Sequence, residues 1–87
     1  MKTFTLDGAA VTGREDLHER MAAGLGFPAW YGGNLDALYD CLTDLEETTI
    51  RVAAPQDLEE TLGAYAARFF CVLRRATEEN PRLYLEL

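Results

Sequence analysis

The chain has 87 residues, 48% of them apolar and 26% charged, which suits one globular domain and excludes a disordered one. Fifteen acids against eight bases leave a net charge of −7. That balance disfavours nucleic-acid backbones and anionic membranes and favours a basic protein partner.

At the start, Met1-Lys2 leads into a short alternating stretch rather than an apolar signal region. No run approaches the roughly 18–20 apolar residues of a membrane span, so a cytoplasmic location is expected. Lys2 to Leu6 places Phe4 and Leu6 on one face, the pattern of a half-buried strand. Asp7-Gly8 marks a turn. Thr12-x-x-Glu15 fits a capping box and starts a first helix, in which Leu17, Met21 and Leu25 share one face. Gly24 and Gly26 are expected to end it. His18, the only histidine, stands beside Leu17 and reads as a structural or surface residue.

Phe27 to Gly33 is a loop, yet it holds Phe27, Trp30 and Tyr31. Those rings either fold back on the core or face a partner. Asn34 is a good N-cap for a second helix running to Glu47. Ile50 to Ala53 reads as a buried strand. Pro55 suits the first turn of a third helix carrying Leu58 and Leu62, and Gly63 breaks it. Tyr65, Phe69, Val72, Leu73 and Ala76 line a fourth helix, stopped by Asn80-Pro81. Leu83, Leu85 and Leu87 then alternate in a last strand. The order β-α-α-β-α-α-β predicts parallel pairing, and the alternating outer strands suggest a sheet covered on one face. The expected fold is one two-layer α/β domain over residues 1–87.

The second helix separates into two faces at about 100° per residue. Leu35, Leu38, Cys41, Leu42 and Leu45 fall on one side, which is expected to pack on the sheet. Asp36, Asp40, Thr43, Asp44 and Glu47 fall on the other, with Tyr39 at the edge. No Lys or Arg occurs between Met21 and Ile50, so Asp36, Asp40 and Asp44 have no basic neighbour at i±3 or i±4. Asp36–Asp40 and Asp40–Asp44 are like-charge pairs, each costing about 0.2–0.5 kcal/mol. Selection for a cationic partner explains such a row, and a merely solvated face also allows it.

Enzymatic readings find little support. No Ser or Cys sits in a nucleophile motif. Tyr31-Gly32-Gly33-Asn34 lacks the spacing and lysine of a phosphate loop. Asp36 and Asp40 alone are a sparse ligand set for a divalent cation. Cys41 and Cys71 are too few for a disulfide scaffold and read as buried free thiols. No catalytic residue, metal site or cofactor is therefore assigned.

The stretch from Trp30 to Thr43, WYGGNLDALYDCLT, resembles the barstar family of ribonuclease inhibitors, and Asp16-Leu17-His18 is similar to the family's first helix. The resemblance implies a three-stranded parallel sheet with helices on one face. It also implies a cytoplasmic, non-enzymatic inhibitor of a secreted, basic, guanyl-preferring ribonuclease, bound 1:1 and monomeric when free. In such proteins the second helix and the loop before it enter the nuclease active site. That assigns partner contacts to Trp30 and Tyr31 in the loop, and to Asn34, Asp36, Tyr39, Asp40 and Thr43 on the helix, with Asp40 as the phosphate mimic. Asp44 lies at the rim of this surface, and Glu79 matches a further acidic contact on the fourth helix.

The chain departs from the family pattern at four places. Tyr39 stands for a tryptophan, Asp44-Leu45 for a Gly-Trp pair, and Arg75 for an acid that contacts the nuclease. Pro81 stands where a second cysteine can occur, and Cys71 has no counterpart. Two other functions remain open on the residues: an immunity or regulatory module for another cationic toxin or enzyme, and a small metal-dependent enzyme using Asp36 and Asp40.

Overall fold

The computed structural model describes residues 2–87; Met1 lies outside them. The elements are β1 (Lys2–Asp7), α1 (Arg14–Leu25), α2 (Leu35–Thr43), β2 (Thr48–Ala53), α3 (Pro55–Leu62), α4 (Ala64–Glu79) and β3 (Leu83–Glu86). The strands form one parallel sheet in the order β1-β2-β3. Register places Phe4 beside Ile50 and Ile50 beside Leu85, with Leu6 beside Val52. These side chains share the face that receives the helices. Thr3, Thr5, Arg51, Tyr84 and Glu86 are exposed on the other. There Arg51 Nε donates to Glu86 Oε1 at 3.1 Å across adjacent strands. The helices therefore cover one face, and the open face is made compatible with water by threonines and an ion pair.

The core lies between sheet and helices. Leu17, Met21 and Leu25 of α1, Leu38 and Leu42 of α2, Leu58 of α3 and Phe69, Leu73 and Ala76 of α4 are all buried in it. No helix among the described residues is long and apolar enough to cross a membrane.

Four local expectations change. First, the capping box is not made. Gly13 is the N-cap of α1 and has no side chain to offer. Instead, the Asp16 carboxylate accepts the Thr12 N–H at 3.0 Å and Arg20 Nε at 2.9 Å. These two donors, Arg20 foremost, hold Asp16 below its ordinary pKa. Second, Gly24 does not end α1 but lies inside it. A Cβ there would run into the Phe4 ring, so the glycine lets α1 lie close to β1. Gly26 alone ends the helix, at φ 71°.

Third, α2 stops at Thr43, not Glu47. The N–H groups of Asp44 and Leu45 donate to the carbonyls of Cys41 and Leu42, three residues back, which tightens and closes the last turn. Asn80, buried in the turn after α4, donates from Nδ2 to the carbonyls of Leu42 and Leu45, both at 3.0 Å. The chain then leaves as sheet lead-in, with the Glu47 carbonyl accepting the Lys2 N–H. Fourth, β2 begins at Thr48, two residues early. Thr48 and Thr49 are buried despite their hydroxyls, and Thr48 Oγ1 donates to the Glu46 carbonyl at 2.7 Å. α2 also lies against α4.

Candidate functional site

Asn34 holds the start of α2. Its Oδ1 accepts the Ala37 N–H at 2.8 Å, so the asparagine works as the expected N-cap. The residue itself stays exposed. Because Leu38 and Leu42 anchor the inner face with no residual exposure, the rotation of the helix is fixed. Asp36 and Asp40, one turn apart, then necessarily face solvent. Asp36 sits in the first turn, where the helix dipole favours a carboxylate. Thr43 Oγ1 donates to the Asp40 carbonyl at 2.9 Å and leaves the Asp40 carboxylate untouched. Asp44 is the C-cap, exposed at the unfavourable end of the dipole. Glu46 and Glu47 lie beyond the helix and do not extend its acid face.

The aromatic loop before α2 divides between its two possible roles. Trp30 projects, with 81% of its surface exposed. Tyr31 and Phe27 turn inward and pack on one another, ring centroids 4.9 Å apart. Tyr31 Oη lies 2.6 Å from His18 Nδ1, and Tyr65 Oη lies 2.7 Å from His18 Nε2. A neutral imidazole has one donor and one acceptor nitrogen, so one tyrosine accepts from it and the other donates to it. Burial lowers the His18 pKa below its ordinary value and pushes the Tyr31 hydroxyl up. A buried histidine on α1 thus ties the loop to α4. The signal for this was in the sequence: His18 is three residues before Met21 and seven before Leu25, on the same apolar face.

Asp36, Tyr39 and Asp40 line one groove between α2 and α4, together with Leu35, Val72 and Arg75. Asn34 and Asp36 border the adjoining cleft with Arg14, Tyr65 and Arg68. Tyr31 lies on the other side of the loop, against α1. Glu79, exposed at the end of α4, lines neither of these two clefts. Arg75, whose charge departs from the family pattern, borders this groove, and its guanidinium lies 6.0 Å from the Tyr39 ring centre. The acids of α2 lack basic neighbours along their own helix, but α4 supplies them across the groove. The seven-residue spacing of Arg68 and Arg75, flanking Val72, is the pattern that could have revealed this.

Cys41 is half-buried at the back of α2, and Cys71 is exposed, not buried as expected. Burial first, and then the neighbouring Asp40 and Asp44 charges, raise the Cys41 thiol above its ordinary pKa, which favours its protonated form.

Fold and surface together define a class: a one-sheet α/β domain that presents a carboxylate-bearing helix beside a tryptophan-tipped loop. The chain belongs to the Barstar family, whose model, described as Barstar (barnase inhibitor), matches residues 1–85. It is also similar to YrdF of Bacillus subtilis (strain 168), a candidate ribonuclease inhibitor, with 36% identity over 81 residues, 91% of this chain and 89% of the relative.

Proposed function

We propose that this protein inhibits a secreted, basic, guanyl-preferring ribonuclease by inserting α2 and the preceding loop into the nuclease active site. The observation that carries the proposal is the pair Asp36 and Asp40, exposed one turn apart on a helix whose rotation is fixed by Leu38 and Leu42. Membership in a family described by inhibition of a ribonuclease supports it, as does the description of the Bacillus relative.

The mechanism follows from charge. A ribonuclease gathers cationic groups around the scissile phosphate. A carboxylate held on a rigid helix accepts the same charge-assisted hydrogen bonds but contains no phosphodiester to cleave. Asp40 acts as the phosphate mimic, and Asp36 and Thr43 flank it. Trp30 supplies a large exposed ring for a pocket beside the phosphate site, and Tyr31, Asn34 and Tyr39 complete the contact. Asp44 and Glu79 lie at the edge and contribute mainly to the field. Binding is 1:1 and competitive, without turnover, metal or cofactor, and the free protein is a monomer in the cytoplasm of the cell that makes the nuclease.

The test is inhibition of a panel of guanyl-preferring ribonucleases, barnase among them, by the purified chain. Competitive inhibition of at least one, with nanomolar or tighter affinity, is expected. Failure to inhibit any panel member at micromolar concentration would reject the proposal and leave a non-nuclease toxin as the partner.

A further inference from the structure

The chain carries eight bases, and their placement is uneven. Arg20 and Arg51 are paired with Asp16 and Glu86, and neither lines the clefts beside α2. Arg14, Arg68 and Arg75 all border the two clefts beside α2. Each is exposed, and each stands over or near a tyrosine ring: Arg14 lies 4.4 Å and Arg68 6.0 Å from the Tyr65 ring centre, and Arg75 lies 6.0 Å from that of Tyr39. Arg75 shares a groove with Asp36 and Asp40, yet the ion pairs within 4.0 Å among the described residues include neither acid. The result is an acidic strip on α2 running beside a basic strip on α4, with the charges held apart rather than neutralised.

We infer that the basic strip is part of the partner-binding surface, and that Arg75, backed by Arg68, selects a nuclease with a carboxylate on the rim facing α4. This rests on the function proposed above. A uniformly basic nuclease surface would meet Asp36 and Asp40 favourably but would be repelled by Arg75. A surface that is cationic at its centre and acidic at this edge satisfies both strips in one orientation. Guanidinium groups are suited to the task because they bind a carboxylate through two parallel hydrogen bonds. The Tyr39 ring, 6.0 Å from the guanidinium, attracts it weakly and biases Arg75 towards the groove before binding. A nuclease with Lys or Arg at the same rim position is rejected by like-charge contact, so the strip sets specificity while α2 supplies the common contact. Nucleic acid is a poorer occupant, because Asp36 and Asp40 in the same clefts, and the net charge of −7, repel a polyanion.

The experiment uses the panel ribonuclease that the unaltered protein inhibits most strongly, with kinetics recorded for Arg75→Ala, Arg75→Glu, Arg68→Glu and Asp40→Ala. A labelled single-stranded RNA dodecamer serves as a second probe, and thermal melts check that each variant is folded. Arg75→Glu makes the inhibitor more acidic, so simple steering by a basic enzyme would raise its on-rate and tighten binding. The inference predicts the reverse: affinity falls about tenfold or more through faster dissociation, Arg75→Ala falls less, and Arg68→Glu also weakens binding. Unchanged or tighter binding by Arg75→Glu, while Asp40→Ala still abolishes inhibition, overturns the inference and leaves the active-site plug standing. Little effect of Asp40→Ala, or no panel member bound at micromolar concentration, removes the plug and this inference with it. RNA bound by the unaltered protein and lost in Arg68→Glu or Arg75→Glu assigns the strip to nucleic acid and overturns the partner named here.

Discussion

His18 shows how one side chain can place a contact surface it does not belong to. The Tyr31–His18–Tyr65 chain is buried at its centre, and both imidazole nitrogens are occupied. Tyr31→Phe would leave one nitrogen without its partner and is expected to cost about 1–2 kcal/mol in urea unfolding. The same residue predicts a pH dependence. Its folded pKa lies below the ordinary histidine value because burial penalises the charged ring. Below pH about 6.5 the unfolded chain therefore takes up a proton that the folded protein resists, so stability falls as pH falls from there towards the folded pKa and is flat above it for this group. His18→Gln should remove that component of the slope between pH 7 and 5. An unchanged slope would show that the carboxylates alone govern it.

Between elements, Asn80 is the link that most affects the site. It closes the last turn of α2 through the Leu42 and Leu45 carbonyls, while its Oδ1 accepts the Arg82 N–H at 3.0 Å. Asn80→Ala leaves these groups unpaired in a buried place and is expected to destabilise the fold by about 2–4 kcal/mol. Asn80→Asp should be at least as harmful, since a carboxylate would face two carbonyl oxygens; a variant as stable as the parent would remove Asn80 from this role. Asparagine before proline was legible as a helix stop, but its long-range partners were not, because they lie more than thirty residues away. The same limit explains the other differences. Periodicity identified every helix and strand, since alternation and apolar faces are local properties. The end of α2, the reason for Gly24 and the burial of Thr48 and Thr49 depend on Asn80, Phe4 and the sheet, which are set by packing. The exposed acids of α2 were legible from the apolar face opposite them. The inward turn of Tyr31 was one of two readings of its loop, and the arginine strip left only the spacing of Arg68 and Arg75 as a trace, since placing either requires the position of α4.

At the scale of the molecule, the charge pattern has a kinetic consequence. A net charge of −7 steers a basic nuclease towards the inhibitor, so the association rate should fall as salt rises from 20 to 500 mM, roughly the range over which the Debye length shrinks from about 20 to about 4 Å. Dissociation, governed by close contacts, should change much less. An on-rate indifferent to salt would mean that the partner is not strongly cationic.

The central claim is that Asp40 occupies the phosphate position of a ribonuclease, and it is separable from the general field because Glu46 carries the same charge outside α2. The decisive measurement is the affinity of Asp40→Ala and of Glu46→Ala for the same inhibited ribonuclease, at one salt concentration. Each variant loses one negative charge, so any difference reports position. The account predicts a loss of about a hundredfold or more for Asp40→Ala and within about threefold for Glu46→Ala. Equal losses for the two variants would contradict it.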